Sequence, residues 1–172
     1  VGLAAGIGAA LAGGALAGWV SQTAQAADEL ARLADQTGVS VEKLSAWGNV
    51  AQRNGQDLND LAELTTEMSL RLAEIDKDSE GAGLALKQLG LDYKALAAMP
   101  AEQAFEAIAR SVAGTENSGR KTALVMAALG DEAQKYITTL NTIGASGEME
   151  ASITTRQGDV ARDYKDALVK LN

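Results

Sequence analysis

Residues 57–75 read DLNDLAELTTEMSLRLAEI. Leu58, Leu61, Leu64, Met68, Leu72 and Ile75 recur there at steps of three and four. That spacing lines them along one face of a helix with 3.6 residues per turn. Asp57 stands just ahead of the run, where a short carboxylate accepts the first free N–H groups of a helix. Asn54-Gly55 closes the segment before it. An amphipathic helix buried on one face is predicted here, and it needs other helices to bury that face against.

Its neighbours supply them. Upstream, Leu30, Leu33 and Ala34 share a face, and Thr37-Gly38 stops that helix. Ser40 is the expected N-cap of the next helix, whose apolar face holds Val41, Leu44, Trp47, Gly48 and Ala51. Trp47 is expected in the core. Downstream, a polar turn at 76–81 leads to a short helix with Leu84, Leu86 and Leu89, closed by Gly90. Leu91-Asp92-Tyr93 reads as a short extended or single-turn link. Pro100 opens a fifth helix with Ala104, Phe105, Ile108 and Val112 facing inward. A sixth carries Leu124, Val125, Ala128 and Leu129 and breaks at Gly130. Asp131 is expected to cap a seventh, with Ala133, Tyr136, Ile137 and Leu140. Gly144 and Gly147 mark a loop. Beyond it Val160, Tyr164, Ala167 and Leu171 alternate steps of four and three, a coiled-coil spacing.

Composition agrees with helices. Aromatic residues make up 3% of the chain and there is one proline. The core must therefore be built from Ala and Leu, which suits closely packed helices better than sheets. The predicted fold class is all-α: a compact multi-helix unit over 28–147, flanked by an apolar N-terminal helix over 1–27 and an exiting helix over 148–172. The last residues, DALVKLN, stop without a capping glycine, so this helix is expected to continue into further sequence.

The N-terminal stretch differs from the rest. Val1 to Ala27 carry no charge, and Asp28-Glu29 follow at once. A helix that is apolar all round must sit in lipid or against protein. Gly2, Gly6, Gly14 and Gly18 create small-xxx-small spacings that let backbones approach closely. Each glycine also weakens the helix in water by about 1 kcal/mol relative to alanine. Trp19, near the end of the run, suits a membrane interface or a protein–protein seam. Gly2, Gly6, Gly14, Gly18 and Trp19 are therefore the candidate seam or membrane residues. A second reading makes residues 1–26 a signal segment of a secreted or periplasmic helical protein, with Ala24-Gln25-Ala26 as its cleavage site.

Little suggests chemistry. The chain has no histidine and no cysteine, which removes His-based proton transfer, disulfides and zinc sites. Ser21, Ser40, Ser45 and Ser111 thus have no base of that kind. The carboxylate pairs Asp28-Glu29, Asp57/Asp60 and Asp131-Glu132 sit at helix starts, where acids favour the positive end of the dipole. Residues 76–81 resemble half of a calcium loop but lack its twelfth-position Glu, Lys87 standing there instead. Gly6-x-Gly8 and Gly13-Gly14 have no strand before them and no Lys-Ser/Thr after, unlike a phosphate loop. No catalytic, cofactor or metal site is expected, and the chain is not expected to be an enzyme. The net charge of −8, concentrated in residues 28–90, argues against specific nucleic acid binding.

The run Ala27 to Ala46, ADELARLADQTGVSVEKLSA, followed by a leucine-rich helix, resembles a recurrent segment of phage tail tape measure proteins. Lys121 to Gly130 resembles a later run of that family, and Tyr136, Ile137 and Leu140 stand where it has an apolar stretch. The resemblance spans roughly 24–145 and departs at 91–99, where the family often has a longer link. It implies a structural component of a phage or phage-like tail. Such proteins set tail length during assembly and leave the tube ahead of the DNA during infection, some of them aiding passage through the envelope. The implied partners are further copies of the chain, tail tube and tail tip proteins, tail assembly chaperones and the host membrane. The implied places are the lumen of the virion tail and, during assembly, the bacterial host cytoplasm.

Overall fold

A computed structural model describes residues 15–74 and 81–146, and eight positions between 156 and 170, with side chains described from Ala24 onward. The fold is all-α, with no strand among the described residues. In chain order the elements are α1 (Ala15–Thr37), α2 (Val41–Arg53), α3 (Leu58–Glu74), α4 (Ala82–Gln88), α5 (Tyr93–Ala97), α6 (Ala101–Gly114), α7 (Ser118–Leu129), a 3-10 turn (Asp131–Tyr136) and α8 (Ile137–Ala145). The described positions between 156 and 170 are helical.

The first three helices pack on one another. α1 packs on α2 and α3, and α2 packs on α3. The leucine-rich face of α3 goes where its spacing predicts: Leu61, Leu64, Met68 and Leu72 are buried, and Leu58 is half-buried against the same core. Ile75 lies outside the described residues. Asp57 caps α3, its carboxylate accepting the Asn59 N–H at 2.7 Å.

Trp47 and Phe105 join the two halves of the core. Both are fully buried, with ring centroids 4.6 Å apart and planes tilted by 37°. Such offset aromatic pairs add about 1 kcal/mol to their burial. The predicted inner faces of α6 (Ala104, Phe105, Ile108, Val112) and α7 (Leu124, Val125, Ala128, Leu129) are all buried.

Several local expectations change. Ser40 has an extended backbone at the start of α2, but its hydroxyl makes no cap within that helix. Its N–H and hydroxyl instead donate to the Glu102 carboxylate, at 3.2 and 2.9 Å. A carboxylate accepts more strongly than a neutral oxygen, so the side chain leaves its own helix. Leu84 is 49% exposed while Leu86 is buried; residues two apart fall on nearly opposite sides of a helix, so one face cannot bury both. Asp92 accepts the Ala95 N–H and starts the five-residue α5.

The seventh predicted helix begins as a 3-10 turn with Gly130, not Asp131, at its cap. Gly130 has φ of +98°, a conformation that strains residues with a Cβ, and Arg71 and Glu67 of α3 lie over it. Gly144 is not in a loop: it is inside α8, and its missing side chain lets α8 touch the backbone of α6.

The charge edge at 27/28 is not a structural edge. α1 runs unbroken across it, because Gln25, Ala26, Ala27, Asp28 and Glu29 contain no helix breaker. Ala24 and Ala27 are already buried, ahead of the core residues Leu30 and Leu33.

Candidate functional site

The predicted candidate residues divide at Ala15. Gly2, Gly6 and Gly14 lie outside the described residues. Gly18 and Trp19 lie on α1, ahead of the first described side chain. No described helix is long and apolar enough to cross a membrane. What the structure adds is the connection: residues 15–27 belong to the same helix that carries Leu30 and Leu33 into the core.

The acidic pairs are held by structural contacts. Glu29 accepts from Arg32 at 2.7 Å, and this bond, the largest influence on it, holds the Glu29 carboxyl below the usual glutamate range. Arg32 also donates to Gln36 and to Asn59, tying α1 to the start of α3. Asp28 faces Arg162 at 3.7 Å, and Arg162 bonds Asp159 at 2.7 Å. The exiting helix therefore passes beside α1. Asp131 and Glu132 begin the 3-10 turn, where Glu132 pairs with Lys135 at 3.3 Å and raises its pKa. Among the described residues no three acidic groups converge as a metal site would require. Most of the calcium-like turn, 76–80, lies outside the described residues.

Of the serines, Ser111 donates to the Leu89 carbonyl, and Ser45 is buried on the inner side of α2. Tyr136 is the unusual polar residue. It is 2% exposed and its hydroxyl has no hydrogen bond of ordinary geometry. Burial, first, and the negative Asp60 raise its pKa, while Lys135 pulls it the other way. With its ring inside the hydrophobic core cluster, it reads as a packed core tyrosine.

Two surface concavities stand out among the described residues. One, of about 410 Å³, lies among α1, α2 and α3 and is lined with side-chain amides, including Asn49, Gln52 and Gln56. Gln56 is already engaged, donating to the Lys135 carbonyl and accepting from Thr139. The other is a groove between the C-terminal half of α3, α5 and the start of α6, lined mainly by Met, Leu and Ala with Ser69, Tyr93 and Lys94 among them. Two hollows of about 180 and 450 Å³ meet there over Leu72, Ala73 and Ala97. Sequence reasoning missed this groove. Its lining comes from three helices, and the exposed alanines of α5 carry no periodic signal.

Comparison with protein families, with characterised proteins and with solved structures gives no match to this chain. The described arrangement offers surfaces for packing and no converging reactive groups.

Proposed function

We propose that this chain is a structural element of a phage or phage-like tail, a segment of a tape measure protein. In this reading it acts by length and packing, without catalysis. It occupies the tail lumen after assembly in the host cytoplasm and is expelled ahead of the DNA. Its partners are further copies, tube and tip proteins, assembly chaperones and, on expulsion, the host membrane. The observation that carries the reading is the unbroken α1, which ties an uncharged Gly/Ala-rich stretch to a helical bundle with Leu30 and Leu33 in its core. Such a chain is suited to transmit position and load between partners. The resemblance over 24–145 supports the same assignment.

The signal-segment alternative is less well supported. Cleavage after Ala26 would cut α1 beside the buried Ala24 and Ala27. The test is deletion of 28–147 from the gene that encodes this segment, with tails measured by electron microscopy. Shortened or aborted tails are expected. Unchanged tail length together with full infectivity would end the proposal.

A further inference from the structure

α2 ends on Asn54 and Gly55. Asn54 holds φ of −95° and ψ of 9°, and Gly55 follows at φ of +71°, a conformation that favours glycine. The Gly55 N–H donates to the Gln52 carbonyl at 3.0 Å, and the Gln56 N–H donates to the Ala51 carbonyl at 2.9 Å. Those two bonds make a Schellman turn, which calls for glycine after the last helical residue. The turn therefore places next to an asparagine the residue that shields its own nitrogen least.

Asn54 also starts a directed chain of hydrogen bonds. Its side-chain nitrogen donates to Thr139 Oγ1 at 3.1 Å. The Thr139 hydroxyl has a single proton and commits it to Gln56 Oε1. Gln56 Nε2 then donates to the Lys135 carbonyl. Thr139 is fully buried, so its oxygen needs a donor at position 54. The chain ties the end of α2 to the 3-10 turn and to the first turn of α8. A carboxylate at 54 has no proton to give, and two acceptors would meet there.

We infer that Asn54 is a site of spontaneous deamidation that the fold holds shut, and that its product cannot rebuild the link between α2 and α8. In the reaction the Gly55 nitrogen loses its proton and attacks Asn54 Cγ. The new N–Cγ bond forms, the Cγ–Nδ2 bond breaks, and Nδ2 leaves with that proton as ammonia. Water opens the resulting succinimide to aspartate or isoaspartate, and no other reactant is needed. In the folded chain both nitrogens are engaged, the attacking one with Gln52 and the leaving one with Thr139. Reaction thus waits on local opening of the helix end, which takes less free energy than opening the core. Isoaspartate also lengthens the main chain by one carbon inside the turn. The position keeps a permanent record of having opened, whatever assembly the chain belongs to.

Mass spectrometry on the full 172-residue chain, aged in mildly alkaline buffer with and without denaturing guanidinium chloride, tests this. Conversion of the Asn54 amide to acid is expected to be at least about tenfold slower in the folded chain. Thr139→Val removes the acceptor and should raise the folded-state rate at least about threefold while leaving the denatured rate unchanged. Asn54→Asp should lower the denaturation midpoint more than Asn54→Ala, and the gap should shrink in a Thr139→Val background. Equal rates in the folded and denatured chains overturn the inference, and that comparison needs no substitution should Thr139→Val melt early. So does an Asn54 that stays intact in the denatured chain, or an Asn54→Asp variant as stable as the unmodified protein.

Discussion

Gly144 of α8 lies directly on the backbone of Ala109 in α6. A methyl group at Gly144 would overlap the Ala109 carbonyl and stand 2.7 Å from the Arg110 nitrogen. The obstacle is backbone, so no rotamer change relieves it. Helix propensity favours alanine over glycine by about 1 kcal/mol, whereas overpacking two helices costs about 3 kcal/mol. The second effect wins. Gly144→Ala is expected to destabilise the fold by ~2 kcal/mol net, read as a lower midpoint in urea. Full retention of stability would show that α6 and α8 can separate freely.

Gly48 is the contrasting case. A methyl group there would meet only the flexible Leu58 side chain, at an ordinary 3.4 Å. Gly48→Ala is expected to stabilise by about 0.4–1 kcal/mol. Opposite signs for the two glycines in the same thermal or urea series check the close approach directly.

Trp47 joins the two halves of the core. Trp47→Ala should cost about 3–5 kcal/mol, and its coupling to Phe105 in a double-mutant cycle should be about 1 kcal/mol. Additive effects would mean that the ring contact contributes nothing of its own.

The turn before α2 is held from α6. Ser40→Ala and Glu102→Gln should each destabilise by ~1 kcal/mol, and the double variant should lose little more than either single one. An isolated cap within α2 would not couple to Glu102 at all. That difference separates the observed bonds to Glu102 from the local cap that residue type alone suggests.

Two of the described groups give opposite pH dependences. The folded pKa of Glu29 is lowered, chiefly by Arg32. Its contribution is present above the unfolded value near 4.5 and is lost as pH falls through the lower folded value. Glu29→Gln should flatten that acid limb slightly, since the pair is exposed. Tyr136 behaves oppositely. Its folded pKa is raised by burial, so stability falls as pH rises above the unfolded value near 10.0. Tyr136→Phe should remove part of that alkaline loss while leaving stability at pH 7 nearly unchanged, because the buried hydroxyl has no hydrogen bond to give up. An unchanged alkaline limb in urea titrations would refute this.

Much of the fold could be read from local spacing. Leu61 to Leu72, Ala104 to Val112 and Leu124 to Leu129 are each one periodic face, and each is buried. What escaped was non-local. Gly144 looks like a loop signal in sequence because a glycine weakens a helix; only the presence of Ala109 explains why α8 keeps it. Ser40 carries the residue type of a cap, but its partner is 62 positions away. The charge edge at 27/28 marks a change of solvent preference, and Ala and Gln carry the helix through it. Of the candidate seam residues, Gly18 and Trp19 fall on α1, and Gly2, Gly6 and Gly14 lie outside the described residues. The groove was invisible because its alanines signal nothing until three helices meet.

The unbroken α1 has a mechanical consequence. A tug applied ahead of Ala15 travels along a hydrogen-bonded rod and arrives at Leu30 and Leu33, where α1 packs on α2 and α3. A load delivered there must break many side-chain contacts at once. The bundle should therefore hold against pulling from this side.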